Sequence, residues 1–272
     1  MKPQRVSPAG VALILGLAFL YLPLAVVIGY SFNASKLVTV WTGFSTRWYG
    51  ELLADSQLMA AARNSLVVAL VSATLAVVLG TAAGIVFARF GKFRGRTALA
   101  GMIAAPLVLP DVIAGISLLL LFVAAEQTFA WMPGRGLFTV IIAHAGFTMA
   151  YVAVIVQARL KGMEREIEEA AADLGARPGA VFLHITLPML KPALIAGWLL
   201  AFVLSLDDLV IASFVAGPQS TTLPMVVFSS IRLGVSPKIN ALATLIIVGT
   251  LVLLAAAAWI GRGALKMKTP RL

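Results

Sequence analysis

Six apolar stretches, near residues 9–31, 64–88, 98–123, 137–158, 192–216 and 240–260, hold only three charged residues between them. A helix needs roughly 20 residues to cross a hydrocarbon core of ~30 Å, and every stretch reaches that length. Inside a bilayer the backbone must satisfy its own hydrogen bonds, so segments of this kind fold as helices or as strands of a closed barrel. Barrel strands would alternate in period two over about ten residues, and none of the six does. Composition agrees: 61% of residues are hydrophobic and 12% charged, against about 45–50% and about 25% in soluble domains. Lys2 and Arg5 precede the first stretch as they would a secretory leader. Its apolar run outlasts the roughly 7–15 residues of a leader, and no small-x-small cleavage site follows. The expected fold is therefore all-α, a polytopic bundle of six transmembrane helices. Residues 1–62 form the first span and an external loop, 63–262 the transmembrane core, and 263–272 a basic tail.

No Lys or Arg lies inside a span. One set of flanks carries Lys2, Arg5, Arg89, Lys92, Arg94, Arg96, Arg159, Lys161, Arg165, Arg177, Lys191, Arg262, Lys266, Lys268 and Arg271. The opposite set carries only Lys36, Arg47, Arg63, Arg135, Arg232 and Lys238. Basic residues collect on the cytoplasmic side, which places both termini there. The net charge of +10 is thus a topology signal and not a nucleic-acid footprint. Cysteine is absent and there are two histidines, His144 and His184, which excludes thiol nucleophiles, thiolate metal sites and histidine clusters. No nucleophile–base constellation appears, so the chain reads as a transport subunit rather than an enzyme, binding no cofactor of its own.

The acids at membrane depth are Asp111, Asp207 and Asp208. Each costs roughly 2.5–3.5 kcal/mol to insert, and such residues face a bundle interior or a water-filled cavity. With no Lys or Arg at that depth, an external cation or protonation would relieve them. Asp111 follows Pro106-Leu-Val-Leu-Pro110, where two prolines interrupt the helix; a substrate path and an N-cap on the restarted helix both suit it. Asp207 and Asp208 are adjacent, so on a helix they point about 100° apart and do not share one narrow pore. His144 reads as an interhelical hydrogen-bonder.

The segment 159–191 is long, charged and helical in pattern. Glutamates crowd the start of an Ala-rich helix, at the positive end of its dipole. Gly175 suits a left-handed stop, and Pro178 the first turn of a second short helix. A helix–turn–helix elbow on the cytoplasmic side is expected. The spacing Glu169-Ala170-Ala171, Gly175, Ile185, Leu187-Pro188 resembles the EAA loop of ABC-importer permeases. Tyr30-Ser-Phe-Asn33, Phe44-Ser-Thr-Arg-Trp-Tyr49, Leu109-Pro-Asp-Val112, Ser205-Leu-Asp-Asp208 and Gly234-Val-Ser-Pro-Lys-Ile-Asn-Ala-Leu-Ala-Thr244 resemble the spermidine/putrescine branch of that family. Within the branch the likeness is greatest to second permease subunits of putrescine importers.

The resemblance implies a type I ABC-importer permease in the bacterial inner membrane. It implies that the seven EAA positions dock on cytosolic ATP-binding subunits, two of them, which hold ATP and Mg. It implies pairing with a related second permease and delivery of substrate by a periplasmic polyamine-binding protein to the external loops 32–62 and 217–239. A polyamine carries separated ammonium groups, which Asp111 and the Asp207/Asp208 pair would meet from different helices. The family likeness carries the substrate-facing role most readily onto Asp207. Lipid is the remaining partner, and no nucleic acid is expected. A permease for another small solute and a cation-coupled secondary transporter remain as alternatives. The chain lacks the nucleotide-binding pattern G-x-x-x-x-G-K-[ST], and it shows none of the repeats common in secondary transporters.

Overall fold

The computed structural model describes residues 8–38, 40–129, 133–233 and 236–266. Lys2, Arg5, Trp131, Lys268, Arg271 and the pair Gly234-Val235 lie outside the described residues. The chain divides into two compact units, one of residues 60–226 and one joining 1–59 to 227–272. Among the described residues the regular structure is helical, with a single isolated bridge between Asn33 and Phe44. Among the described residues five helices are long and apolar enough to cross a membrane.

The unit 60–226 is built on α3 (Ser56–Arg89), α6 (Leu137–Lys161) and α9 (Leu187–Asp207). Small side chains on α3, namely Ala69, Ala73 and Ala76, face Val152, Val156 and Leu160 of α6 and Leu190, Ala201 and Phe202 of α9 in one buried core. Gly80 and Gly84 continue the α3 stripe. A Cβ on Gly80 would stand 2.7 Å from the Met149 carbonyl oxygen and from Val152 Cβ. Small residues four apart let two membrane helices approach this closely. Val152 meets a second glycine as well: a Cβ on Gly197 of α9 would lie 3.3 Å from its Cγ1. Helix α6 is therefore gripped on two sides.

Local chemistry ends the long helix α3. Gly95 adopts a left-handed φ of 87°, and Arg96 turns back to donate to the carbonyls of Phe87, Phe90 and Gly91. A cation on the last carbonyls satisfies groups that have no partner within the helix.

Two of the expected spans are interrupted. The third, expected over 98–123, is two helices, α4 (Arg96–Val108) and α5 (Asp111–Thr128). Leu109 is extended with ψ 137°, as the residue before a proline prefers, and Pro110 has no N–H to continue the ladder. Helix α4 at ~1.5 Å per residue is too short to cross alone, whereas α5 nearly reaches the core thickness. The fifth, expected over 192–216, stops at Asp207 and resumes as α10 (Val210–Val215). Its start also differs. The expected second short helix, α8 (Pro178–Val181), does not end; it runs through a π-helical turn, Phe182–Thr186, straight into α9. Pro188 falls in the first turn of α9 and Pro192 lies inside it, where each missing N–H removes a ladder bond.

In the other unit, α1 (Pro8–Tyr30) agrees with the expected first span, and α12 (Pro237–Lys266) contains the sixth. The loop after α1 is organised by Asn33, which is 1% exposed. Its Nδ2 donates to Val40 O, and its Oδ1 accepts from the N–H groups of Ser35 and Thr42. Trp48 of α2 (Arg47–Leu53) donates to the Asn33 carbonyl at 2.6 Å. The Asn33 side chain is thus committed to holding this loop. Helix α11 (Leu223–Leu233) follows a loop whose Gln219 and Thr221 carbonyls accept from Asn64.

Asp55 precedes α3 and caps it. Its Oδ1 accepts from Leu58 N–H at 3.2 Å, and its Oδ2 lies 3.2 Å from Lys238 Nζ. The Leu58 N–H bond and the Lys238 ammonium hold its carboxyl below the ordinary value of 3.8 against the opposing pull of burial. A lowered folded-state value means the contribution is present above that ordinary value and fades as pH falls through the lowered one. Asp55→Ala is expected to cost about 1 kcal/mol, a typical cap loss, at neutral pH. The difference from the unsubstituted protein should shrink in acid. Hydrogen exchange over the first turn of α3, followed against pH, checks both.

Candidate functional site

The interruption at Asp208 is the centre of the site. Asp208 leaves α9 in an extended conformation, φ −66° and ψ 123°. Its carboxylate then accepts from the Ile211 N–H at 3.3 Å and the Ala212 N–H at 2.8 Å. These are two of the donors that the start of α10 would otherwise leave unpaired. The break persists because the side chain replaces the missing backbone bonds.

A line of buried polar atoms supports that break. Ser72 of α3 donates to Val68 O at 2.6 Å and lies 3.0 Å from Ser205 Oγ of α9. Ser205 Oγ lies 2.7 Å from His144 Nδ1, and His144 Nε2 lies 3.1 Å from Asp208 Oδ2. That last contact is a charge contact at an angle too bent for a good hydrogen bond. Ser72 spends its hydroxyl hydrogen on Val68, so Ser205 is the donor where the two serines meet. Asp208 therefore has a partner inside the bundle, the imidazole of His144, which counting Lys and Arg alone does not reveal.

The other two acids remain unpaired. Asp207 and Asp111 are exposed, and among the described residues neither carboxylate has a side-chain hydrogen bond or ion pair. Asp111 opens α5 without forming a side-chain cap; Pro110 occupies the cap position. Its charge still sits where the helix dipole favours it. Helix α5 packs on α10: a Cβ on Gly115 would stand 2.5 Å from the Phe214 ring. Asp111 lies one turn before that contact on α5, and Asp207 two turns before it on the α9–α10 segment. The two free carboxylates thus belong to neighbouring helices. Of the three acids expected on the substrate path, the structure leaves Asp111 and Asp207 free and gives Asp208 other partners.

On the opposite end, α7 (Glu166–Asp173) stops as its sequence suggests. Gly175 has φ 84°. Ala176 N–H donates to Ala171 O at 3.0 Å and Gly175 N–H to Ala172 O at 2.9 Å, the paired bonds of a Schellman stop. Glu169, Ala170, Gly175 and Pro188 are exposed, while Ala171, Ile185 and Leu187 are half-buried. Glu169 reaches only its neighbour Arg165, at 2.9 Å. The seven positions therefore divide into an outer face and an inner, packing face. Glu168, which sequence reasoning passed over, turns inward to Arg89 and Thr186. Ser72 and Ser205 were passed over too; a serine three residues before an aspartate near mid-span was the available signal.

Gripped apolar helices, a supported break flanked by free acids, and a rigid elbow at one end define a membrane transport permease. The chain belongs to the family described as "Binding-protein-dependent transport system inner membrane component", matched over residues 76–265. It is 61% identical over 237 residues to the putrescine transport system permease protein PotI of Escherichia coli K12, covering 87% of this chain and 84% of that one. It is 39% identical over 252 residues to the spermidine/putrescine transport system permease protein PotC of the same strain, with 93% of each chain covered. In fold it is similar to a chain of a bacterial ABC transporter involved in import of the acidic polysaccharide alginate, with a TM-score of 0.69 and 97% and 98% of the two chains covered at 16% identity. A chain of the MetNI methionine transporter gives a TM-score of 0.62 at 15% identity, covering 76% of this chain and 95% of that one. The chain is a multi-pass ABC-importer permease with a type I fold.

Proposed function

We propose that this permease moves a small polyamine, putrescine first and spermidine next, across the bacterial inner membrane. The observation that carries the reading is the pair of free carboxylates, Asp111 and Asp207, on neighbouring helices beside a third, Asp208, that has partners within the chain. Two separated negative charges suit a cargo with two separated ammonium groups. The 61% identity to PotI supports the same cargo. Asp208 acts on the path indirectly, through the break it caps.

The rest of the assembly follows from the family. A periplasmic binding protein delivers the cargo to the outer loops, and a related second permease completes the cavity. Two cytosolic subunits bind ATP with Mg and receive the elbow through Glu169, Ala170, Ala171, Gly175, Ile185, Leu187 and Pro188. Support for delivery from the periplasm includes the fold likeness to the alginate transporter solved with an alginate-bound periplasmic protein, at a TM-score of 0.69. ATP hydrolysis on those subunits rocks the helices; this chain does no covalent chemistry.

Uptake of labelled putrescine by the reconstituted complex tests the cargo. Losing one charged hydrogen-bond partner costs about 1.5–3 kcal/mol, which is roughly ten- to a hundredfold. Asp207→Asn and Asp111→Asn are each expected to lower uptake by that factor with the complex still assembled. Unchanged uptake in both variants would overturn the polyamine path and leave a permease for another solute. Loss of uptake on collapsing the pH gradient, with ATP present, would instead favour a cation-coupled mechanism.

A further inference from the structure

Five acids lie in the elbow, Glu164, Glu166, Glu168, Glu169 and Asp173, and only Glu168 is turned toward the helix bundle. A single oxygen, Oε1, accepts from Arg89 Nη2 at 3.1 Å and from Thr186 Oγ1 at 2.8 Å. Arg89 ends α3, and Thr186 ends the π-helical turn that leads into α9. The Arg89 and Glu168 side chains are 19% and 17% exposed, and Thr186 is 7% exposed. Water therefore screens this cluster far less than it does the outward pair Arg165–Glu169, at 64% and 60%.

Around the cluster the elbow stands off the bundle. A recess of about 290 Å³ separates them, lined by Ile85 and Leu160 on one side and Ala172, Ala176 and Phe182 on the other. Arg89, Glu168 and Thr186 line the same recess, and their polar contacts bridge its two sides. The helices it joins meet again inside the membrane. Helix α3 carries Ser72 and α9 carries Ser205, 3.0 Å apart, and α9 ends at Asp207. A rigid helix carries a displacement applied at one end along its length. Both helices leaving Glu168 thus lead to the supported break.

We propose that Glu168 is the positioning residue through which movement of the elbow is passed into α3 and α9 together. Its two bonds make it a joint between three elements: α7 at the carboxylate, α3 through Arg89, and α9 through Thr186. Glu169, one residue on, points outward and is left to the partner surface. Pulling α7 moves both helices at once, which shifts the Ser72–Ser205 contact and the Asp207 that follows it. Without the joint, α7 swings across the recess and its movement is lost.

The proposal rests on the reading that the elbow docks on ATP-hydrolysing subunits, and the test separates the two. The complex carrying Glu168→Gln, Glu168→Ala or the exchange Arg89→Glu with Glu168→Arg is purified through the permease and reconstituted in proteoliposomes. Retained ATPase subunits, ATP hydrolysis and putrescine uptake are measured on each. Glu168→Ala is expected to keep its ATPase subunits and to hydrolyse ATP, while uptake per ATP falls by about tenfold. Glu168→Gln keeps the acceptor oxygen and loses the charge, so it should fall between; the exchanged pair should recover part of the loss. Uptake per ATP unchanged in Glu168→Ala and Glu168→Gln overturns the joint. So does a loss of bound ATPase subunits in both variants, since Glu168 would then belong to the docking face. An unsubstituted permease that retains no ATPase subunit overturns the docking reading, and the proposal with it.

Discussion

His144→Ala is expected to be the most damaging alanine substitution in the bundle. Its ring is 1% exposed and touches Ser205 at 2.7 Å and Asp208 at 3.1 Å. Removing it leaves the Asp208 carboxyl inside the bundle without its imidazole partner, and breaking a buried pair in this way costs about 3–5 kcal/mol. The loss extends to geometry, because Asp208 caps α10 and Asp207 is joined to it through the backbone. Stability of the purified complex in detergent and putrescine uptake should both fall. A double-mutant cycle isolates the pair: His144→Leu with Asp208→Asn should be less destabilised than the sum of its single changes, since no unpaired charge remains. Additive costs would mean that the two residues act separately. Ser205→Ala removes the contacts to Ser72 and His144 Nδ1 and should cost about 1 kcal/mol, with uptake largely kept.

The second large effect is expected at Gly80. A methyl there would meet backbone, the Met149 carbonyl oxygen, at 2.7 Å, so no rotamer change relieves it. Overpacking of this kind costs about 1–3 kcal/mol for one added methyl group, and Gly80→Leu should abolish assembly. Gly84→Ala meets Val156 at 2.8 Å, where a side chain can give slightly, and should cost less. Gly101→Ala on α4 meets open space and serves as the control, with stability unchanged. Thermal unfolding of the detergent-solubilised complex orders the three alanine variants, Gly80→Ala, Gly84→Ala and Gly101→Ala. If Gly80→Ala matches the control, α3 and α6 are not held by close approach.

Much of the fold could be read before any coordinates. The helical class and the places of most of the apolar spans follow from hydropathy, and the side on which Lys and Arg collect gives an expected direction. Both signals sum over local residues and need no knowledge of neighbours. The elbow was legible for the same reason: Gly175 and Pro178 act on their own backbone. The interruption at Pro110 was legible too, since a proline lacks its donor wherever it sits. The interruption at Asp208 was not. Ser-Leu-Asp-Asp contains no helix breaker, and this break depends on a histidine 64 residues earlier in the chain and on the N–H groups of α10.

Charge shows where that boundary falls. Sequence alone establishes three acids at membrane depth with no Lys or Arg beside them, since position along the chain sets depth in a bilayer. It cannot tell one acid from another, because pairing depends on distances of about 3 Å between helices. Packing of α6 against α9 brings His144 to Asp208 and leaves Asp207 and Asp111 free. Packing at the elbow makes the same choice between neighbours, turning Glu168 inward to Arg89 and Thr186 and Glu169 outward. Hydropathy could place these residues in the membrane or the elbow; assigning each its partner took the close approach of helices that its small residues permit.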